Sequence, residues 1–146
     1  MTLVELIVAF SILFLLTAMA VPLARSKVRA ERERDLVNAL REMRDAIDKY
    51  HDMAVAGYFG QVKEGTNYYP ENLETLVEGV KLNNAQGTKM RFLRQIPKDP
   101  VTGKAEWGLR SDQDDYKAMT WGGQNVFDVY SKSSDRASDG KQYSEW

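Results

Sequence analysis

The chain has no cysteine. Disulfide frameworks, thiolate metal sites and cysteine nucleophiles are therefore excluded, and whatever orders its folded part does so without a covalent staple. Charge of one dominant sign is missing as well: 20 Lys and Arg against 21 Asp and Glu leave a formal net charge of -1 on 146 residues. Nucleic-acid binders usually carry a strongly basic face or stripe, so no nucleic-acid partner is expected. The one histidine, His51, has Asp52 beside it but no second base or nucleophile in any motif around it. Phosphate loops, zinc signatures and serine elbows are all lacking. An enzyme is thus the disfavoured class. The acidic group Asp112, Asp114 and Asp115 reads as a solvated loop rather than a cation site. The aromatics Tyr58, Phe59, Tyr68, Tyr69, Trp107, Trp121 and Trp146 read as core and packing surface rather than a ligand box.

The chain has room for one modest globular domain. Its averages, 43% hydrophobic and 28% charged, hide a molecule of two parts, because the 19 residues from Leu6 to Ala24 carry no charge. As a helix that run reaches roughly 28 Å, close to the hydrocarbon thickness of a bilayer. One membrane span is the natural reading. A cleaved secretory signal would need a basic start, a shorter apolar run and a small-residue cleavage site. Met1-Thr2-Leu3-Val4 supplies no base, and Glu5 is an acid. Inside a span a carboxylate costs on the order of 2.5 to 3.5 kcal/mol at the centre and less near the end, so Glu5 needs a partner. A free α-amino group is the obvious one; snorkelling to the interface is the alternative. Arg25, Lys27, Arg29, Arg32 and Arg34 follow the span, where the positive-inside rule would hold the rest of the chain in the cytoplasm. The conflict eases if a basic leader, since removed, once preceded Met1. Interleaving with Glu31, Glu33 and Asp35 also allows a solvated helix face, so charge counting leaves the orientation open.

Beyond the run, Leu36, Leu40, Met43, Ile47, Tyr50 and Ala54 recur at steps of four and three, flanked by Val37, Ala39, Ala46 and Met53. This is the stripe of an amphipathic helix, with Gly57 as its stop. A single helix is expected from about Thr2 to Ala56, interrupted at Pro22, which removes a hydrogen bond and crowds the preceding turn. A short helix with proline in its first turn is expected over Tyr69 to Val77, ended by Gly79. Strands are expected over Ala105 to Leu109 and Val126 to Tyr130, after the turn Pro97-Lys98-Asp99-Pro100-Val101-Thr102-Gly103. The fold class is α+β: residues 1–24 a hydrophobic helix, 25–56 its amphipathic continuation, and 57–146 a head with a small antiparallel sheet.

Met1-Thr2-Leu3-Val4-Glu5-Leu6, the apolar run and Pro22 resemble the class III signal region of type IV pilins and pseudopilins. Mature chains of that family begin Phe-Thr-Leu-x-Glu and often carry proline at the twenty-second position; here Met1 stands where phenylalanine is usual. Gln95-Ile96-Pro97-Lys98-Asp99-Pro100 resembles the Leu-Pro-Lys-Asp-Pro element of the major pseudopilin of type II secretion. Phe127-Asp128-Val129-Tyr130-Ser131, the Asp- and Ser-rich loop after it and Trp146 resemble that family's ending, while Ser111 to Asn125 match it least. The resemblance implies a lollipop-shaped subunit of a homo-oligomeric helical filament. In it Glu5 pairs with the N-terminal amine of a neighbouring subunit, on a processed and N-methylated Met1, with Thr2 and Pro22 in the same assembly segment. It further implies minor pseudopilins, inner-membrane secretion components and a prepilin peptidase as partners. The subunit would wait in the inner membrane with its head in the periplasm, and the filament would support export of folded proteins across the outer membrane. A surface type IV pilin for adhesion or motility is the runner-up, although major pilins commonly close their C-terminal region with a disulfide. An anchored periplasmic binding module, the third reading, gives Glu5 no reason to exist.

The loop Ser131 to Gly140 gathers two carboxylates and several hydroxyls, hard oxygen donors that suit calcium. The resemblance implies calcium held by the side chains of Asp135 and Asp139, with Lys132 and Ser138 adding backbone or hydroxyl oxygen. An ordinary Asx-rich turn competes with that reading, since the loop is short and Lys132 and Arg136 bring positive charge.

Overall fold

The computed structural model describes residues 2–146. One helix, α1 (Leu3–Val55), takes up more than a third of them and at 1.5 Å per residue extends about 80 Å. Then follow a short helix α2 (Leu73–Glu78), an antiparallel ribbon of β1 (Val80–Lys81) and β2 (Lys89–Met90), a second ribbon of β3 (Trp107–Arg110) and β4 (Asp128–Ser131), and a closing 3-10 turn, Tyr143–Glu145. The architecture is α+β, a long N-terminal helix with a small antiparallel head.

The two halves of α1 differ because their sequences differ. From Leu36 to Ala54 the apolar stripe is buried, with Leu36, Met43 and Ile47 fully inaccessible. Against it pack Phe59, Leu73, Leu76, Leu93, Trp107, Val126, Val129 and Tyr143. The apolar half before it is left bare: no residue of its most apolar window is buried, and Leu3, Phe10 and Phe14 are 76%, 66% and 75% exposed. Its only side-chain polar groups besides Thr2 and Glu5 turn inward, the Ser11 hydroxyl to the Ile7 carbonyl at 2.7 Å and the Thr17 hydroxyl to the Leu13 carbonyl at 2.8 Å. The helix is long and apolar enough to cross a membrane.

Pro22 lies inside α1, which runs on as the single helix expected. Proline forfeits one ladder bond, but a helix already propagated on both sides gains a bond for each further residue and bridges the gap. The second helix starts at Leu73 rather than Tyr69, because the Asn72 side chain caps it by accepting from the Thr75 amide at 2.9 Å. It ends at Gly79, whose φ of 83° is open to glycine and where a Cβ would strike the Met90 carbonyl. Strands β3 and β4 pair Trp107 with Ser131 and Gly108 with Tyr130. Each begins two residues later than the sequence suggests. Gly108 is there for the Tyr130 ring, which occupies the space a side chain would need, and the Arg110 guanidinium covers that ring at 4.1 Å. Among the aromatics expected to pack, Phe59 and Trp107 are buried, whereas Tyr58, Tyr68 and Trp121 are exposed.

The turn before β3 is pinned from inside. Asp99 is fully buried, accepts from the Val101 amide at 2.8 Å and the Thr102 amide at 3.3 Å, and takes the Ser131 hydroxyl on its second oxygen. Trp107 Nε1 donates to the Pro97 carbonyl at 2.9 Å. The Pro-Lys-Asp-Pro element thus works as a buried clasp between turn and ribbon.

The division of α1 predicts opposite responses to the same truncation. In detergent, Met43→Ala should lower head stability by about 2–5 kcal/mol, the range for opening a core cavity. Leu13→Ala should move it by under about 0.5 kcal/mol, as exposed substitutions do. Denaturant unfolding followed by near-ultraviolet dichroism separates the two.

Candidate functional site

At the start of α1, Thr2 is extended (φ -91°, ψ 156°) and its hydroxyl accepts from the Glu5 amide at 3.3 Å. The Glu5 carboxylate reaches back to the Thr2 amide, also at 3.3 Å. The pair forms a reciprocal capping box, satisfying two of the amides that a helix start leaves without partners. The signature, Thr followed three residues later by Glu just before an apolar run, is legible in the sequence. Glu5 therefore has a local task within its own chain. Met1, whose amine is the expected assembly partner, lies outside the described residues. Pro22 sits in the helix twenty residues on from Thr2 and contacts neither Thr2 nor Glu5.

At the other end of the chain, the C-terminal loop is held by a carboxylate that the sequence reading left on the polar face. Glu33 is buried and takes three hydrogen bonds on one carboxylate: the Ser138 amide at 2.7 Å, the Ser138 hydroxyl at 2.6 Å and the Tyr143 hydroxyl at 3.0 Å. Arg29, one turn earlier, pairs with it at 3.3 Å and donates to the Arg136 carbonyl. Burial pushes the Glu33 carboxyl up, but the bonds from Ser138 and Tyr143 and the charge of Arg29 outweigh it and hold the group below the ordinary carboxylate range. A signal was present: Glu33 lies three residues before Leu36, in line with the apolar stripe.

The expected calcium ligands fall in this same loop. Calcium takes six to eight oxygens. Ser138 donates both its groups to Glu33, Asp139 accepts the Lys141 amide at 2.9 Å, Lys132 is exposed, and the Asp135 amide is bonded to the Ser133 hydroxyl at 3.1 Å. No group of three or more His, Cys, Asp or Glu side chains converges among the described residues. Asp135, Asp139, Lys132 and Ser138 thus share one loop, which Glu33 ties down from the helix side.

The acidic run has structural partners: Asp114 accepts from the Ser111 and Gly122 amides, which hold it below the ordinary range, and Asp112 accepts from Asn67 and Asn125. His51 stacks on Tyr69 with ring centroids 4.2 Å apart.

Two outcomes follow for the loop. Because the folded Glu33 titrates below its ordinary value, it contributes stability that is full above that value and is lost as pH falls through the lower, folded one. Glu33→Gln should cost about 1–2 kcal/mol at neutral pH, with the gap from the unaltered chain closing in acid; unfolding midpoints across pH measure it. Calcium gives the second: a hydrogen-bonded loop predicts the same melting temperature in chelator and in millimolar calcium. A rise with calcium would mean that Asp135 and Asp139 turn to bind it.

No family model, no curated protein and no solved structure matches this chain.

Proposed function

We propose that this chain is a pseudopilin, a structural subunit that waits in the inner membrane with its head in the periplasm and polymerises through α1 into a filament of a type II secretion system. One observation carries the reading: a single unbroken helix is wholly exposed and apolar in its first half, and is the core of a folded head in its second. So much contiguous apolar surface is not left to water, where monomers rarely expose patches above a few hundred Å². A bilayer covers it before assembly, and the same half-helices of neighbouring subunits cover it afterwards. The ending from Phe127 to Trp146 favours the secretion filament over a surface pilin, as does the lack of cysteine.

The Thr2–Glu5 capping box supports a second reading, an anchored monomer, because it gives Glu5 a purpose without any neighbour. The two readings part at Glu5→Gln. Glutamine also serves in a capping box, so helix start and membrane insertion should survive. The charge that would neutralise a neighbour's amine in an apolar filament core is lost. Electron microscopy of membranes overproducing each form should show thin filaments for the unaltered chain and none, or very few, for Glu5→Gln. Equal filament yields would end the registry role of Glu5. Filaments from neither form, with the protein in the membrane, would favour the monomer.

A further inference from the structure

Where α1 leaves its apolar half, it forms with the C-terminal loop an open groove of about 680 Å³. Arg25, Arg29 and Arg32 line it from the helix, at steps of four and three that set them on one face, and Arg136 lines it from the loop. Asp135 is the only acid in its lining, and it forms no ion pair with these arginines among the described residues. Two of the four guanidinium groups are fixed, Arg29 by Glu33 and by the Arg136 carbonyl, and Arg136 by the Gly140 carbonyl at 2.9 Å. Arg25 and Arg32 make no side-chain hydrogen bond or ion pair among the described residues. The groove therefore offers two free guanidinium groups, forks that match phosphate oxygens two at a time, beside two whose positions are fixed by bonds within the chain.

Its position names the ligand. Ala24, the last residue of the uncharged run, forms one wall, so in the membrane orientation proposed above the groove opens where hydrocarbon gives way to headgroups. Val28 and Val101 lie beside the arginines, which suits an amphiphile better than a hydrated ion. We propose that this groove binds the phosphate of an anionic phospholipid at the membrane surface from which α1 emerges. The proposal rests on the membrane-spanning reading of α1. It also accounts for three of the bases placed after the span on the side where the positive-inside rule would not put them: Arg25, Arg29 and Arg32 hold a lipid instead of setting the orientation.

The test reconstitutes the full chain into phosphatidylcholine vesicles containing a minority of phosphatidylglycerol, then reads the lipids retained on the extracted protein by native mass spectrometry. Phosphatidylglycerol should be enriched over its share of the bilayer. Arg25→Gln with Arg32→Gln removes two groups without contacts in the chain and should reduce that enrichment on the order of tenfold, leaving the melting temperature in place. Lys27→Gln with Arg34→Gln removes the same charge outside the groove and should change it little. Equal retention of both lipids, or equal loss in the two double variants, would overturn the groove. So would stabilisation of the detergent-solubilised chain by inorganic phosphate without any lipid preference, which would assign the groove to a soluble anion. Alkaline carbonate washing reads the span separately: a chain released by it would refute the span, and the lipid site with it.

Discussion

A two-stranded ribbon with four residues in each strand does not hold its shape in water unaided, because too little apolar surface leaves the solvent to offset the ordering of its backbone. Strands β3 and β4 hold theirs because the stripe from Leu36 to Ala54 lies beneath them and accepts Trp107, Val126 and Val129. The β1–β2 ribbon, two residues a strand, depends on the same stripe at one remove, through α2 and the edge-to-face contacts of Phe92 with Tyr50 and Phe59. The head is in this sense a set of short elements laid along a helix. That order of dependence explains why half of α1 can be left bare without endangering the fold.

Polar contacts then settle what the apolar ones leave loose. Arg44 on α1 meets Asp128 at 2.7 Å, the Val129 carbonyl at 3.1 Å and the Trp146 carbonyl at 2.8 Å, so one side chain joins helix, strand and the last residue. Arg110 reaches the carbonyls of Ala118 and Ser144 from β3. With Glu33 above and Arg44 below, the final segment is fastened to α1 at two heights. No disulfide takes part in this fastening, since the chain has no cysteine.

What the sequence disclosed was whatever repeats or punctuates. The period of the stripe gave the buried face of α1 almost residue by residue, and the uncharged run gave the bare half. Gly79 and the Pro97–Gly103 turn gave the breaks around the short elements. Hidden were contacts between residues far apart in the chain. Glu33 meets Ser138 across 105 positions and Arg44 meets Trp146 across 102, separations that no local pattern encodes. The clasp at Asp99 was visible as a motif, yet its burial was not, since it depends on Ser131 arriving from β4. Pro22 is a local signal for a bend, and the helix read through it from the periodicity is continuous, since the ladder is long on both sides.

The continuation of α1 through Pro22 has a mechanical consequence. The apolar half and the buried half belong to one helix, so the azimuth of the head about the helix axis is set by counting residues at about 100° each. Thirty-one positions separate Glu5 from Leu36, and each contributes its increment of rotation. The length of the segment between foot and head is therefore a phase as well as a distance, and the linking stretch from Arg25 to Asp35 is far less free to gain or lose a residue than its exposure would suggest.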